Sequence, residues 1–158
     1  MSYYYALPLV DEAQLVEARR MLGGDMLRIL GYFQEDGAKS IGQIEQAMAT
    51  EQAAAMVIPA HTLKGESRQF GAQRLGDLAE AIEMAARRCV EQRCAPAEVA
   101  AEVAMLRNCF QETLTALGVT GPALALRPYP ATPPTPTPLR PAATLTLAPR
   151  TFGRRTGA

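Results

Sequence analysis

Residues 60–83, AHTLKGESRQFGAQRLGDLAEAIE, contain two segments of helical pattern separated by Gly71. Apolar side chains recur at helical spacing in both segments, at Ala60, Leu63, Phe70, Leu75, Leu78 and Ile82. A glycine between two helices permits a tight reversal of the chain. The stretch therefore predicts a helical hairpin whose two apolar stripes pack against each other.

Helical patterns continue on both sides of this hairpin. DEAQLVEARRML, residues 11–22, predicts a short helix that ends before Gly23. Asp25 is predicted to be the N-cap of a second helix, in which Gly37 makes a break possible. The next three helices are predicted at about 51–69, 72–93 and 96–117, the last with Pro96 in its first turn.

No segment alternates with period two, so no strands are predicted. The predicted fold is all-α: an antiparallel four-helix bundle with a short N-terminal accessory helix. The composition changes after residue 118, because 9 of the 12 prolines lie within residues 122–149. Such a run cannot continue a helix and has too few large apolar residues for a core. We predict a folded domain over residues 1–118 and a proline-rich, disordered C-terminal tail over 119–158, with a docking segment for another domain as the alternative.

Charge is distributed unevenly along the 158 residues. Five of the 16 basic residues lie beyond residue 118, which leaves 11 bases against all 16 acids before it, a net charge of −5. A negative folded part argues against nucleic acid as a partner.

The start of the chain, MSYYYALPLV, lacks the basic region of a secretory signal, and no apolar run is long enough for a membrane span. Cys89, Cys94 and Cys109 are odd in number and lie in helical sequence, so a disulfide framework is not expected. These features predict a cytoplasmic protein without membrane attachment.

His61 is the single histidine of the chain. On a helix at 100° per residue it shares a stripe with Lys64, Gly65 and Arg68, opposite the apolar stripe. We therefore expect His61 to face outward, with open space beside Gly65 and positive charge suited to a phosphoryl group or an acidic partner. The alternative is that Gly65 is merely tolerated and that the two cations are ordinary solvated charges.

The returning helix brings a possible partner for the ring. His61 lies nine residues before Phe70, roughly 14 Å from the turn, which places residues about 80–83 level with it. Glu83 stands at the edge of the apolar stripe and could accept a hydrogen bond from the His61 ring, which would leave the other nitrogen free as a nucleophile. Alternatively, Glu83 and Arg87 form an ordinary i,i+4 ion pair.

The same stretch resembles the signature of histidine-containing phosphotransfer (HPt) domains, roughly H-x-L-K-G-x(5)-G-x(3)-L followed by a further Leu and an acidic or amide residue. The matching residues are His61, Leu63, Lys64, Gly65, Gly71, Leu75, Leu78 and Glu83. GGDMLRILGYFQED, residues 23–36, is similar to the second helix of the family, and the resemblance covers about residues 11–117.

The resemblance implies that His61 accepts a phosphoryl group from a receiver-domain aspartyl phosphate and passes it to another receiver. Lys64 then assists at the phosphoryl group, Gly65 keeps the surface open, and Glu83 holds the histidine. Expected partners are receiver domains of response regulators or hybrid histidine kinases, which supply Mg²⁺; the chain needs no cofactor or metal of its own. Arg68, Gln69 and Arg87 are expected to contact the partner.

Two residues depart from the family pattern. Glu66 replaces a residue that is usually small, and Pro59 is expected to kink its helix or to mark the point where it restarts. Exposed apolar residues are expected near His61, with Leu30 and Phe33 of the second helix as candidates.

The predicted function is thus a monomeric phosphocarrier rather than an enzyme, since no glycine-rich nucleotide loop is present. Two alternatives belong to other classes. One is a non-catalytic helical scaffold, or pseudo-HPt protein, that binds receiver or kinase domains without phosphotransfer. The other is a metal-binding bundle that uses His61 and the three cysteines, although their spacing matches no common zinc pattern.

Overall fold

The computed structural model describes residues 3–119, within which the chain forms five α-helices. They are α1 (Glu12–Leu22), α2 (Met26–Ala49), α3 (Ala53–Gln69), α4 (Gln73–Gln92) and α5 (Ala100–Ala116). Short 3-10 turns occupy Tyr3–Ala6, Gly23–Asp25 and Ala97–Val99. Helices α2 to α5 pack in sequence order, and α5 closes the bundle against α2. The predicted four-helix bundle with an accessory helix is confirmed.

No helix within residues 3–119 is both long and apolar enough to cross a membrane. The predicted tail lies outside the described residues, apart from Val119, and the domain boundary at residue 118 stays a prediction.

Three phenylalanines join the helices at the centre of the core. The Phe33 ring lies 5.2 Å from that of Phe70 and 5.6 Å from that of Phe110, and all three side chains are buried. Helix α2 continues through Gly37 without the break that its sequence allows. A Cβ at Gly37 would lie 2.6 Å from Cε2 of Phe110, so the glycine is needed for close approach of α5.

The turn between α3 and α4 also holds the accessory helix in place. Gly71 has a left-handed φ of 70°, and a Cβ there would lie 2.8 Å from the Asp11 carbonyl oxygen. The Asp11 N–H donates to the Gly71 carbonyl at 2.7 Å, and the Asp11 carboxylate caps α1 through the Gln14 N–H at 3.0 Å. One glycine thus serves both the α3–α4 reversal and the docking of α1.

Asp25 directly precedes α2 at the N-cap position, as predicted, but its side chain makes no capping hydrogen bond there. It forms instead an ion pair with Arg28 at 3.0 Å. The predicted start of the last helix at Pro96 is wrong. Pro96, at ψ 33°, precedes a 3-10 turn, and α5 begins only at Ala100.

Pro59 lies inside α3, which is continuous from Ala53 to Gln69. Of the two expectations for Pro59, the restart of the helix is therefore wrong, and the kink stays a prediction. Proline has no N–H to donate, so α3 lacks one helical hydrogen bond at this point. The Pro59 ring is buried on the core side, and His61 follows on the exposed side of the same turn.

Candidate functional site

His61 projects from the middle of α3 into solvent, with 64% of its side chain exposed. Ala60 and Leu63, on the opposite side of the helix, are fully buried. This is the orientation that helical phase predicts, because α3 packs its apolar stripe against α2 and α4. A solvent-facing histidine at the centre of a long helix is accessible to another macromolecule.

Glu83 of α4 lies directly beside the ring, where it binds three basic side chains. The His61 Nδ1 atom is 3.0 Å from Glu83 Oε1. The same oxygen accepts hydrogen bonds from Arg87 Nε at 3.1 Å and Arg87 Nη2 at 2.8 Å. The Lys64 ammonium forms an ion pair with Oε2 at 2.7 Å. The residue expected at the edge of the buried stripe is itself buried, with 3% of its surface exposed.

These contacts determine the ionisation of Glu83 and, through it, the tautomer of His61. Burial alone would raise the pKa of the Glu83 carboxyl, but the interactions with Lys64, Arg87 and His61 outweigh burial and lower the pKa to about 2. A carboxylate has no proton to donate, so Nδ1 must carry the hydrogen of this contact. In neutral His61 the free electron pair is therefore on Nε2, the nitrogen that faces away from Glu83.

The basic residues near His61 are matched by carboxylates. Arg68 Nη2 lies 2.6 Å from Glu80 Oε2 and 3.7 Å from Asp77 Oδ1, and Lys64 Nζ lies 3.8 Å from Glu80 Oε1. Lys64, Arg68 and Arg87 together balance Glu83, Glu80 and Asp77. Lys64 and Arg68 are therefore held in ion pairs between α3 and α4 rather than being merely solvated, and Arg87 pairs with Glu83 within α4. Arg68 and Arg87 remain about half exposed, at 47% and 53%.

Gly65 lies one helical turn after His61 in open surroundings. An added Cβ would find no atom within 4 Å. Packing within this domain therefore does not require a glycine here, although glycine costs about 1 kcal/mol relative to alanine inside a helix. Gln69, exposed at the end of α3, lies eight residues from His61.

An apolar patch on the other side of His61 was missed by the sequence analysis. It consists of Val57, Ile58 and Val90; Ile58 is 76% exposed and Val90 47% exposed. Val57 and Val90 line a groove between α3 and α4 beside Arg87. Helical spacing could have predicted two of these residues, since Val57 and Ile58 stand four and three residues before His61 and share its face of the helix.

The earlier candidates for this surface, Leu30 and Phe33, are wrong. They are 4% and 2% exposed because their positions on α2 face the bundle core. Exposure of an apolar residue depends on which side of its helix meets the other helices.

Glu66 occupies a half-buried position on α3. Burial raises the pKa of its carboxyl, and the nearby negative charge of Asp36 on α2 raises it further. Its Oε2 atom is buried without a hydrogen-bond partner among the described residues.

Within residues 3–119, no three His, Cys, Asp or Glu side chains are placed to hold a metal ion, so the metal-binding alternative has no site there.

Comparison with known families gives one match. A model of the Hpt domain matches residues 28–117, which include α2 from its third residue on, all of α3 to α5, and every residue around His61 described above. Searches of curated proteins and of solved structures found no match. The matched region is more than half of the 158 residues.

Proposed function

This chain belongs to the Hpt domain family, and from that we propose that it is a histidine phosphotransfer protein whose phosphoryl-accepting residue is His61. The donor is an aspartyl phosphate on one receiver domain, and the acceptor is the aspartate of another. The observation that carries this proposal is the exposed ring of His61, with Nδ1 held 3.0 Å from an ionised Glu83 and Nε2 free.

Transfer begins with attack of the Nε2 electron pair on phosphorus. The nitrogen–phosphorus bond forms while the bond from phosphorus to the aspartyl oxygen breaks, and the aspartate leaves with the electron pair. The Nδ1 hydrogen stays on the ring, so no proton has to move. The ring becomes positively charged next to the Glu83 carboxylate, which stabilises it. The reverse sequence delivers the phosphoryl group to the acceptor aspartate.

The surrounding side chains have supporting parts in this proposal. Lys64 contacts the carboxylates of Glu83 and Glu80, and in the complex its ammonium would leave one of them and bind a phosphoryl oxygen instead. The apolar patch and the open surface at Gly65 lie on either side of His61, and they suit a partner that covers the ring and excludes water. Arg68, Gln69 and Arg87 remain predicted partner contacts.

The protein acts in this proposal as a carrier without a kinase reaction of its own. Mg²⁺ would come with the receiver, as the family resemblance implies, and His61, Lys64 and Glu83 supply only positioning and charge compensation. The cytoplasmic location, the monomeric state and the absence of a nucleic-acid partner stay predictions from the sequence.

Phosphoryl uptake from a phosphorylated receiver domain tests the proposal. The chain is mixed with a receiver carrying radioactive phosphate, and the phosphoprotein is then exposed to acid and to base. Phosphohistidine is lost in acid and survives base, whereas an aspartyl phosphate is lost in base. We expect uptake with the histidine pattern, and phosphorus NMR should place the phosphate on Nε2.

His61→Gln is the matched control, because an exposed side chain can be replaced without loss of packing. The variant should fold and take up no phosphate. Acid-labile uptake by the variant would refute the assignment of His61. The alternative function, a scaffold, predicts instead that the wild-type chain binds receivers but takes up no phosphate from any of them.

A further inference from the structure

The C-terminal end of α4 brings two cysteines together. Arg93 adopts the left-handed conformation, φ 54° and ψ 43°, and its N–H donates to the Cys89 carbonyl. The Cys94 N–H donates to the same carbonyl at 3.0 Å. This is the hydrogen bond that joins the ends of a Schellman turn, in which the side chains of the two joined residues are frequently in contact. Cys89 and Cys94 therefore lie side by side although five positions separate them.

The two thiols differ in their surroundings. Cys89 is 2% exposed, and its Sγ also lies 3.5 Å from the Ala95 carbonyl oxygen, whereas Cys94 is exposed. A hydrogen bond with Cys94 raises the pKa of the Cys89 thiol, and burial raises it further. Both cysteines are free. The exposed Cys94 is the thiol that an oxidant can reach, and Cys89 is in place to react next.

We propose that Cys89 and Cys94 are a dithiol site that hydrogen peroxide oxidises to an intramolecular disulfide. The Cys94 thiolate attacks one peroxide oxygen; the S–O bond forms, the O–O bond breaks, and hydroxide leaves as water after taking up a proton. Cys89 then attacks the Cys94 sulfur; the S–S bond forms, the S–O bond breaks, and a second water leaves with the Cys89 proton. The two thiols together lose two electrons and the peroxide gains them.

The site does not depend on the proposed phosphotransfer. Cys89 lies on α4, the helix that also carries Glu83 and Arg87; Arg87 stands two residues before Cys89, and Val90 of the apolar patch directly follows it. The third cysteine, Cys109 of α5, is 4% exposed, and burial raises the pKa of its thiol to about 11. Cys109 is therefore expected to stay reduced when the pair reacts.

Mass spectrometry after peroxide treatment of the full chain tests the proposal. Free thiols are alkylated after treatment, and peptides are mapped without reduction. We expect a monomer lighter by two hydrogen atoms, a peptide in which Cys89 and Cys94 are linked, and alkylation of Cys109 alone. Dithiothreitol should restore all three thiols. Persistence of both free thiols, or a stable sulfinic acid at Cys94 with Cys89 still free, would overturn the proposal.

Two single variants separate this pair from other reactions. Cys94→Ser should abolish the intramolecular link, and Cys109→Ser should leave it unchanged. Cys94 is exposed, so its replacement leaves the core intact, and Cys109→Ser changes the volume of a buried side chain only slightly. Circular dichroism should show that both variants keep the wild-type fold. A link that survives Cys94→Ser, or one lost in Cys109→Ser, contradicts the assignment.

Discussion

Replacement of Glu83 by glutamine tests the charge cluster beside His61. Glutamine keeps the size of the side chain and an oxygen that can accept from Nδ1, but it removes the negative charge. Lys64 and Arg87 then face each other without the carboxylate that holds them. The change should therefore weaken folding as well as the position of the ring.

The pKa of Glu83 provides the magnitude. A fall from 4.5 to about 2 corresponds to about 3 kcal/mol in favour of the ionised carboxylate in the folded state, at about 1.36 kcal/mol per pKa unit. Solvent screens part of the interaction with Arg87, whose side chain is 53% exposed. We expect Glu83→Gln to lower the free energy of unfolding by about 2 kcal/mol at neutral pH.

The effect should depend on pH with a definite sign. Because the folded-state pKa lies below the unfolded value, the ionised carboxylate stabilises the fold above pH 4.5, and this contribution is lost as the pH falls towards about 2. Urea unfolding of both proteins over a series of pH values measures the difference. The free energies of unfolding of the wild-type protein and of Glu83→Gln, plotted against pH, should converge as the pH falls.

Glu80→Gln is the matched control on the same helix. The Glu80 side chain contacts Arg68 and Lys64 but is 43% exposed, so its replacement should change the free energy of unfolding by no more than about 0.5 kcal/mol. A Glu83→Gln difference that is as small as that of the control, or that stays constant with pH, would refute the charge cluster as described.

Two further predictions concern packing and burial. Gly37→Ala should destabilise the protein by about 1–3 kcal/mol, because the added Cβ collides with the Phe110 ring. Gly31→Ala in the same helix meets no atom within 4 Å and should stabilise the protein by up to about 1 kcal/mol. Thermal unfolding measures both variants, and equal effects would contradict the packing described for Gly37. Glu66→Gln should stabilise the protein by about 0.5–1 kcal/mol at neutral pH, since it removes a half-buried charge whose Oε2 atom has no hydrogen-bond partner within residues 3–119. Because the folded-state pKa of Glu66 is raised, this gain should shrink as the pH falls through that pKa, and a gain that grows in acid would count against it.

Helical phase, with the short connections between the helices, was enough to predict the bundle and the orientation of His61. The rotation of 100° per residue fixes which side chains share a face once a helix is known. It also placed Glu83 level with His61. Two antiparallel helices joined by a short turn have the same rise per residue, so residues at similar distances from the turn lie side by side. These relations are local, so they need no knowledge of the remaining chain.

Other features depend on contacts that a single helix does not contain. In the sequence, Leu30 and Phe33 form an apolar stripe like those of the other helices. Only their packing in the bundle core shows that no partner can reach them. Gly37 could have broken α2, but the Phe110 ring of a distant helix makes the glycine part of a continuous one. Pairing of Arg68 with Glu80 likewise depends on the distance between α3 and α4.

The two ends of the described chain leave the bundle on one side. Arg74, just after the α3–α4 turn, donates to the Leu7 carbonyl at 2.7 Å and lies 3.7 Å from Glu112, near the end of α5. The segment before α1 and the C-terminal part of α5 thus lie at the bundle end that Gly71 forms, while His61 lies ten residues, about 15 Å, along α3 from it. A label attached to either of these described segments starts from that end and leaves the approach to the histidine clear. For biosensor or tethering designs, both segments are therefore suitable attachment points.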